Sequence, residues 1–354
     1  MKNFLILILC ICFVLFGCQV KEYKTYYEDG QLESIVKRKN GKLEGEFIMF
    51  YRSGEIYTRC FYKDGKQEGE DTVFFKNGYI KELGYYKDGK KEGEFISRDE
   101  LTIYANYKND VLDGEFKIYG SNDSLVKNGS YNKGKFNGEE KEYFENGQVK
   151  IIRNFKNDEL DGDFKEFDFN GQLIKSSTFK KGRINGKYIS YYDNGNVESI
   201  NFYKDGKFEG VDTTYYKDGQ LKIVRNYKDG KQDGEMKYYD ENGHLSVVYF
   251  YKDGKKEGVH KEYYDNGQLV FIGYYKDDEP EGVHKSYHEN GNLYQIKFYK
   301  DGKLEGEWKE YYENGQLREI SYFKNGKMEG ESKEYYKTGK LKKISIYKNN
   351  FLIK

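Results

Sequence analysis

Hydrophobic and polar residues follow one pattern that returns along almost the whole chain. About six alternating residues, as in 307–312, are followed by an Asn-Gly pair, a second stretch from Gln316 to about Lys324, and a glycine-containing turn. Alternation of this kind is typical of β-strands, and Asn-Gly between two such stretches is typical of hairpins. The pattern therefore predicts two strands per unit, joined by one tight and one looser turn.

One glycine marks the same place in every unit and shows that the pattern has a fixed period. Successive marker glycines are 24 residues apart, except for 21 residues between Gly93 and Gly114. The marker glycines are Gly45, Gly69, Gly93, Gly114, Gly138, Gly162, Gly186, Gly210, Gly234, Gly258, Gly282, Gly306 and Gly330. Units this short cannot bury a core alone and are stabilised by their neighbours. The sequence therefore predicts an all-β fold over residues 23–354: an extended antiparallel array of β-hairpins with a 24-residue repeat, as a single twisted sheet or β-solenoid.

The details of each hairpin can also be predicted from one unit. The pair Asn314-Gly315 suits a type I′ turn, in which both central residues have a positive φ, while 325–330 reads as the looser turn. In the second strand, Leu317, Ile320 and Phe323 are spaced by three, which a flat strand cannot place on one face. A bulge or a sharp bend is therefore expected near this point.

The first strand predicts one packed face. Trp308 and Tyr312 share one face by alternation, and Glu307, Lys309 and Tyr311 share the other. Several positions equivalent to Trp308 are apolar, namely Phe47, Phe95, Phe116, Phe164, Tyr188 and Met236. The face that carries Trp308 is therefore predicted to be the more apolar, packed face.

One unit is irregular. Three residues are missing between Gly93 and Gly114, no Asn-Gly turn follows Phe95, and the next unit has Asn122-Asp123 in place of Asn-Gly. A local kink is expected near 94–124, dividing the array into a short N-terminal and a long C-terminal segment. The deletion has two interpretations: a neutral change in a loop, or a functional joint.

The first residues differ from the repeats. Lys2 precedes an entirely apolar run, Phe4–Phe16, which is short for a membrane span and has the layout of a signal peptide. The run ends in a glycine and Cys18, which resembles the lipoprotein box of bacteria. This resemblance implies a signal peptide over 1–17, lipid on Cys18 and a short linker over 18–22. An ordinary secretory signal or a short N-terminal anchor are the alternatives.

Composition narrows the range of functions. Lys and Arg together number 60, as do Asp and Glu, so the balanced charge does not favour nucleic acid as a partner. His260 and His284 occupy the same position in adjacent units, about 10 Å apart, which is too far for one metal ion. No set of residues stands out as a catalytic site, because each unit nearly copies the next. The chain is predicted to be a non-enzyme without metal, cofactor or small-molecule substrate.

The motif Tyr-Tyr-Glu-Asn-Gly-Gln-Leu followed by Tyr-Phe-Lys-Asn-Gly-Lys-Met-Glu-Gly-Glu, at 311–331, resembles MORN repeats (membrane occupation and recognition nexus). It is similar to the bacterial variant form found in YwqK-type antitoxin components of toxin–antitoxin systems. The resemblance covers residues 23–354. It implies a β-hairpin array that binds proteins or lies near membranes.

These observations lead to one functional hypothesis and two alternatives. The chain is expected to be a lipid-anchored lipoprotein of the bacterial cell envelope, at the outer membrane or cell surface, whose repeats form a protein-binding scaffold. An antitoxin or immunity component that neutralises a toxin, and a repeat protein that binds cell-wall carbohydrate, are the alternatives. Because tyrosine and tryptophan are favoured interface anchors, the candidate binding residues are Trp308, Tyr311, Tyr312, Tyr263 and Tyr264.

Overall fold

The computed structural model describes residues 19–354, so the predicted signal peptide (1–17) and Cys18 lie outside the described residues. The described residues form 36 β-strands, all paired antiparallel, and contain no helix, so none that could cross a membrane. The chain divides into two compact units, which we call unit 1 (up to Gly147) and unit 2 (from Gln148). The predicted all-β array of antiparallel hairpins is confirmed.

Unit 1 is built from strands that pair in the order of the chain. They are β1 (Lys21–Tyr26), β2 (Leu32–Lys39), β3 (Lys42–Phe50), β4 (Ile56–Lys63), β5 (Lys66–Phe74), β6 (Ile80–Lys87), β7 (Lys90–Lys91), β8 (Gly93–Arg98), β9 (Thr102–Lys108), β10 (Val111–Tyr119), β11 (Leu125–Asn132), β12 (Lys135–Phe136) and β13 (Gly138–Tyr143). The two-residue strands precede a marker glycine and pair with the end of the preceding long strand.

Unit 2 repeats the same arrangement. Its strands are β14 (Val149–Lys156), β15 (Glu159–Phe167), β16 (Leu173–Lys180), β17 (Arg183–Tyr191), β18 (Val197–Lys204), β19 (Lys207–Phe208), β20 (Gly210–Tyr215), β21 (Leu221–Lys228), β22 (Lys231–Gln232), β23 (Gly234–Tyr239), β24 (Leu245–Lys252), β25 (Lys255–Lys256), β26 (Gly258–Tyr263), β27 (Leu269–Lys276), β28 (Glu279–Tyr287), β29 (Leu293–Lys300), β30 (Lys303–Leu304), β31 (Gly306–Tyr311), β32 (Leu317–Lys324), β33 (Lys327–Met328), β34 (Gly330–Tyr335), β35 (Leu341–Lys348) and β36 (Phe351–Leu352). In both units the main contacts are between neighbouring strands of a single layer.

The turn at Asn314-Gly315 is not the predicted type I′ turn. Gly315 has a φ of 80°, but Asn314 does not have a positive φ. The Tyr312 carbonyl accepts from the Gly315 N–H at 2.8 Å, and the Tyr312 N–H donates to the Gln316 carbonyl at 2.9 Å. This is a three-residue loop: a type I turn followed by a left-handed glycine. Asn314 favours it because its side-chain oxygen accepts the Gln316 N–H at 3.1 Å.

The type I′ turn lies at the other end of the hairpin. Asn325 and Gly326 both have a positive φ, of 50° and 81°, and the flanking Lys324 and Lys327 pair directly. The turn that appeared looser in the sequence is therefore the tight two-residue turn. The prediction had exchanged the two turns, because Asn-Gly occurs at both places in this unit.

The predicted bulge is confirmed at the start of the second strand. Glu310 pairs with Glu319 and Tyr311 with Leu317, so Arg318 is the extra residue. The first strand β31 ends at Tyr311, and Tyr312 lies in the turn. Tyr312 therefore lies one residue beyond the strand that carries Trp308, and its ring is 5.8 Å from the Arg318 guanidinium that also pairs with Glu310.

Large residues on the face that carries Trp308, which we call the inner face, often lie opposite small ones. Trp308 pairs with Ser321, which is completely buried, and Phe47 pairs with Cys60. Burial raises the pKa of the Cys60 thiol to about 11. A small partner leaves room for each aromatic side chain, so the row packs without a second layer of sheet.

The inner face is less apolar than predicted. Several equivalents of Trp308 are buried polar or charged residues, namely Glu140, Asp212, His260, His284 and Ser332. The predicted face is confirmed as the packed face but not as a mainly apolar one. Polar groups are tolerated because partners lie on the adjacent strands: an Arg225 guanidinium nitrogen is 2.6 Å from a carboxylate oxygen of Asp212.

In the irregular unit, the two strands that follow Gly93 remain paired along their whole length, including their inner-face residues. Strands β8 and β9 pair from Gly93–Tyr107 to Arg98–Thr102 without a bulge, and the short turn is closed by the Asp99 N–H and the Leu101 carbonyl at 3.1 Å. The three missing residues thus shorten one turn and remove one bulge.

Candidate binding surfaces

The second tyrosine of the Tyr-Tyr pair joins one repeat to the next. The Tyr312 hydroxyl donates to the Tyr335 carbonyl, and the Tyr264 hydroxyl donates to the Tyr287 carbonyl, both at 2.9 Å. The same bond is made by Tyr27, Tyr51, Tyr192 and Tyr216. Two of the predicted binding residues, Tyr264 and Tyr312, therefore have hydroxyl groups that already serve the array itself.

We expect Tyr312→Phe to lower the free energy of unfolding of unit 2 by about 1 kcal/mol, because it removes one partly buried hydrogen bond and keeps the ring. Hydrogen exchange of backbone amides in 312–340 would detect the local loss. Tyr311→Phe is the matched control, since no hydrogen bond of that hydroxyl is seen in residues 19–354. Equal effects of the two variants would contradict a linking role for Tyr312.

The opposite edge of the array is joined by carboxylates. Glu305 accepts the Asn325 N–H at 2.8 Å, in the type I′ turn of the following strand pair. Glu44, Glu68, Glu209, Glu281 and Glu329 make the equivalent bond 20 residues along the chain. The first glutamate of the repeated Lys-Asp-Gly-Lys-x-Glu-Gly-Glu sequence thus satisfies a turn N–H group of the next strand pair.

The structure does not bring the five predicted binding residues together. Trp308 lies on the inner face, where its ring meets Phe323 edge-on at a centroid distance of 6.4 Å. Tyr311 and Tyr263 end their strands on the opposite face, which we call the outer face. Tyr264 and Tyr312 lie in the turns.

Tyr311 is one wall of a shallow groove on the outer face. The groove has a volume of about 260 Å³, and its apolar lining is Val283, Ile296 and Phe298. Val283 is 49% exposed and Phe298 is 40% exposed. The sequence analysis did not predict that Val283 and Phe298 belong to a binding surface. The alternation of Glu307, Lys309 and Tyr311 along their strand does identify the face of the sheet on which this groove lies. An exposed apolar surface of this kind is typical of a binding site.

Lysines and branched apolar residues alternate along one row of the outer face, running from strand to strand, which we call the lysine row. Each lysine is paired across the ladder with a valine or isoleucine, in the order Lys237, Val248, Lys261, Ile272, Lys285, Ile296, Lys309, Ile320, Lys333 and Ile344. Three of these lysines have a glutamate two residues earlier that lies 2.5–2.9 Å from the ammonium nitrogen: Lys237 with Glu235, Lys309 with Glu307, and Lys333 with Glu331.

A family model that describes the MORN repeat variant matches eleven segments of 22 residues each, more than half of the chain. The segments are 19–40, 43–64, 136–157, 160–181, 184–205, 208–229, 232–253, 256–277, 280–301, 304–325 and 328–349. This chain belongs to the MORN repeat variant family. MORN repeats commonly mediate binding to proteins or membranes, which is consistent with a scaffold. Hairpins of the same design also occupy 65–135, which the family model does not match.

Other comparisons add little to the MORN assignment. A search of curated proteins gave no match. Among solved structures, the chain is similar to a TcdB2–TccC3–Cdc42 crystal structure, at 10% identity over 94% of this chain and 23% of that chain, with a TM-score of 0.18. It is also similar to a Tc holotoxin pore of Photorhabdus luminescens, at 11% identity over the same shares, with a TM-score of 0.15. The chain thus spans less than a quarter of either one.

The inner face of this MORN array holds an aromatic cluster around its two buried histidines. His260 stacks on Tyr249 with a centroid distance of 4.1 Å, and the Lys256 ammonium lies 4.2 Å from the same tyrosine ring centre. A ring nitrogen of His284 is 2.8 Å from the Tyr274 carbonyl. Within residues 19–354, no group of three or more His, Cys, Asp or Glu side chains is placed to hold a metal ion.

The His260 imidazole has no hydrogen-bond partner on either ring nitrogen, although a Glu262 carboxylate oxygen lies 3.0 Å from Nε2. Burial, together with smaller contributions from the nearby Lys256 and His284, lowers the pKa of His260 from 6.5 to about 4. Burial also lowers the pKa of His284. Both histidines are therefore neutral in the folded protein at pH 7.

We expect unit 2 to lose roughly 2–3 kcal/mol of stability through His260 as the pH falls from about 6.5 to about 4. In that window the unfolded chain binds a proton that the folded chain does not, so the folded state is disfavoured. Urea unfolding of His260→Gln at pH 7 and pH 4.5 should show a smaller pH difference than the wild type. His244→Gln is the control, since that side chain is 53% exposed, and an equal change in both variants would refute the assignment.

Proposed function

We propose that this protein is a non-enzymatic, lipid-anchored scaffold of the bacterial cell envelope whose MORN repeats bind another protein. The observation that supports protein binding is the outer face of unit 2, where large apolar side chains stay exposed at equivalent positions of successive hairpins. Tyr274, Phe298 and Tyr322 are 41%, 40% and 40% exposed. An apolar surface that no second layer covers, set among lysines and glutamates, has the composition of a protein interface.

The absence of catalysis is part of this proposal. Several buried polar groups of the inner face contact one another: Asp212 pairs with Arg225, and the Ser321 and Ser332 hydroxyls share a hydrogen bond of 2.9 Å. The groove beside Tyr311 is open and shallow. Enzyme sites, by contrast, are enclosed pockets in which several polar groups converge.

The envelope location rests on the N-terminal sequence, in which an apolar run ends at Cys18. Metabolic labelling with a clickable fatty acid, followed by fractionation, tests it with wild type and Cys18→Ala. We expect label in the wild-type membrane fraction and none in the variant. Cys60→Ala is the matched control and should keep the label. Unlabelled wild-type protein in the cytosol would refute the anchor.

Protein binding is tested separately by cross-linking and pull-down of the tagged full chain from envelope fractions. We expect a specific protein to be recovered, and purified cell-wall polymers to be left unbound. If only wall polymers are retained, the carbohydrate-binding alternative replaces this proposal.

A toxin as the partner is a narrower form of the same proposal, suggested by the antitoxin members that the repeat resembles. In that form, an exported MORN protein would protect the envelope against a secreted toxin. Cells that lack this gene should then lose viability beside sibling cells that secrete the toxin encoded next to it. Unchanged survival would remove the immunity role and leave the scaffold role in place.

A further inference from the structure

Two lysines in the lysine row differ from the others. Lys261 and Lys285 have Val259 and Val283 where Lys237, Lys309 and Lys333 have a glutamate. Among residues 19–354, no carboxylate lies within 4.0 Å of either lysine. The hairpins from Gly258 to Lys300 therefore present two uncompensated positive charges side by side, in a row that is otherwise ion-paired.

Exposed apolar side chains surround these two charges. Val259 pairs with Tyr274 and Val283 pairs with Phe298 in the row beside the lysines. Tyr274, Val283 and Phe298 are 41%, 49% and 40% exposed. A ligand that matches this window needs negative charge over the lysines and flat apolar surface over the aromatic rings.

The spacing of the window sets the shape of the ligand. Lys261 and Lys285 lie on strands separated by one other strand, as do Tyr274 and Phe298, so each pair is about 9.6 Å apart along the array. A polyproline II segment rises about 3.1 Å per residue with three residues per turn, so its equivalent side chains recur every 9.3 Å or so. Such segments bind to exposed aromatic side chains in other recognition domains.

We propose that the outer face between Val259 and Phe298 docks an acidic protein segment in the polyproline II conformation, with a carboxylate at every third residue. The carboxylates contact Lys261 and Lys285, and the intervening residues pack on Tyr274 and Phe298. This inference rests on the proposed function, since it names the chemistry of the protein partner.

The test uses the full chain and a fluorescein-labelled peptide of four Glu-Pro-Pro repeats, with binding followed by fluorescence anisotropy. A Gln-Pro-Pro peptide and a peptide with glutamate at every fourth residue are the ligand controls. We expect Lys261→Gln/Lys285→Gln to weaken binding of the Glu-Pro-Pro peptide about tenfold, through loss of two ion pairs. The matched control is Lys237→Gln/Lys333→Gln, which alters lysines that already have glutamate partners and should change binding less than about twofold.

Each outcome decides the proposal. Binding of a four-repeat Lys-Pro-Pro peptide by Lys261→Glu/Lys285→Glu, with an unchanged circular dichroism spectrum, would support it by charge reversal. Equal binding of the glutamate and glutamine peptides, or equal loss in both double variants, would overturn it. Binding of vesicles that contain phosphatidylglycerol, without binding of the peptide, would also overturn it and indicate a membrane surface. If Lys261→Gln/Lys285→Gln still captures a protein from envelope fractions, the proposed scaffold function is retained and this docking site is rejected.

Discussion

Replacement of Arg225 by methionine is expected to lower the free energy of unfolding of unit 2 by about 3 kcal/mol, because it leaves a buried carboxylate without its charged partner. The Asp212 side chain is 3% exposed, and both the Nε and an Nη of Arg225 lie 2.6 Å from its Oδ2. Asn201 also donates to Asp212, but an amide alone cannot compensate a buried charge. Arg225 is itself 32% exposed, which places the expected loss at the lower end for such pairs.

Urea unfolding at pH 7 measures this loss, and two further variants identify its cause. Asp212→Leu/Arg225→Met removes both charges and should recover most of the stability, since no unpaired carboxylate remains. Lys217→Met is the matched surface control: its partner Asp193 is 77% exposed, so the expected loss is much smaller than for Arg225→Met. An Arg225→Met protein as stable as Lys217→Met would show that Asp212 finds another partner.

Gly84→Val is expected to lower the free energy of unfolding of unit 1 by about 3 kcal/mol, because the new side chain has no room. A Cβ at this position would lie 2.1 Å from Cε1 and 2.2 Å from Cδ1 of Phe95. The Phe95 ring cannot easily move, since it meets Tyr86 and Tyr107 edge-on at centroid distances of 5.5 and 5.1 Å. Without this contact, replacing a strand glycine would be neutral or stabilising, so the sign of the effect is informative.

A double-mutant cycle with Phe95→Val tests the clash directly by thermal unfolding. If the contact is responsible, Gly84→Val should cost at least 1 kcal/mol less in the Phe95→Val background than in the wild type. Additive effects of the two substitutions would instead assign the loss to the backbone at Gly84.

The regular spacing of marker glycines was enough to predict the hairpin array, because each unit presents the same strand and turn signals at the same place. The three-residue spacing of Leu317, Ile320 and Phe323 also predicted the bulge, which the structure has at Arg318. These features are local: they depend on alternation and on the backbone preferences of glycine and asparagine, which the sequence carries directly.

The candidate binding residues were harder to predict, because the sequence around a tyrosine does not show whether its side chain links two repeats or is exposed to a partner. Tyr264 and Tyr312 proved to link successive repeats, whereas Val283 and Phe298 are the residues left exposed. The distinction depends on a carbonyl 23 residues away, brought close by strand pairing, and no local pattern shows it.

The sequence by itself determined the period, the antiparallel hairpins and the inner position of Trp308, since short-range alternation and turn chemistry decide all three. The tertiary structure alone decided which Gly-containing turn is type I′, which polar residues are buried, and which lysines of the outer row lack a partner. The first two depend on the register between neighbouring strands, which brings together groups 10 to 24 residues apart. The third depends on the extended strand, which places a residue beside the one two positions later: Lys237 and Lys309 meet a glutamate there, whereas Lys261 and Lys285 have a valine.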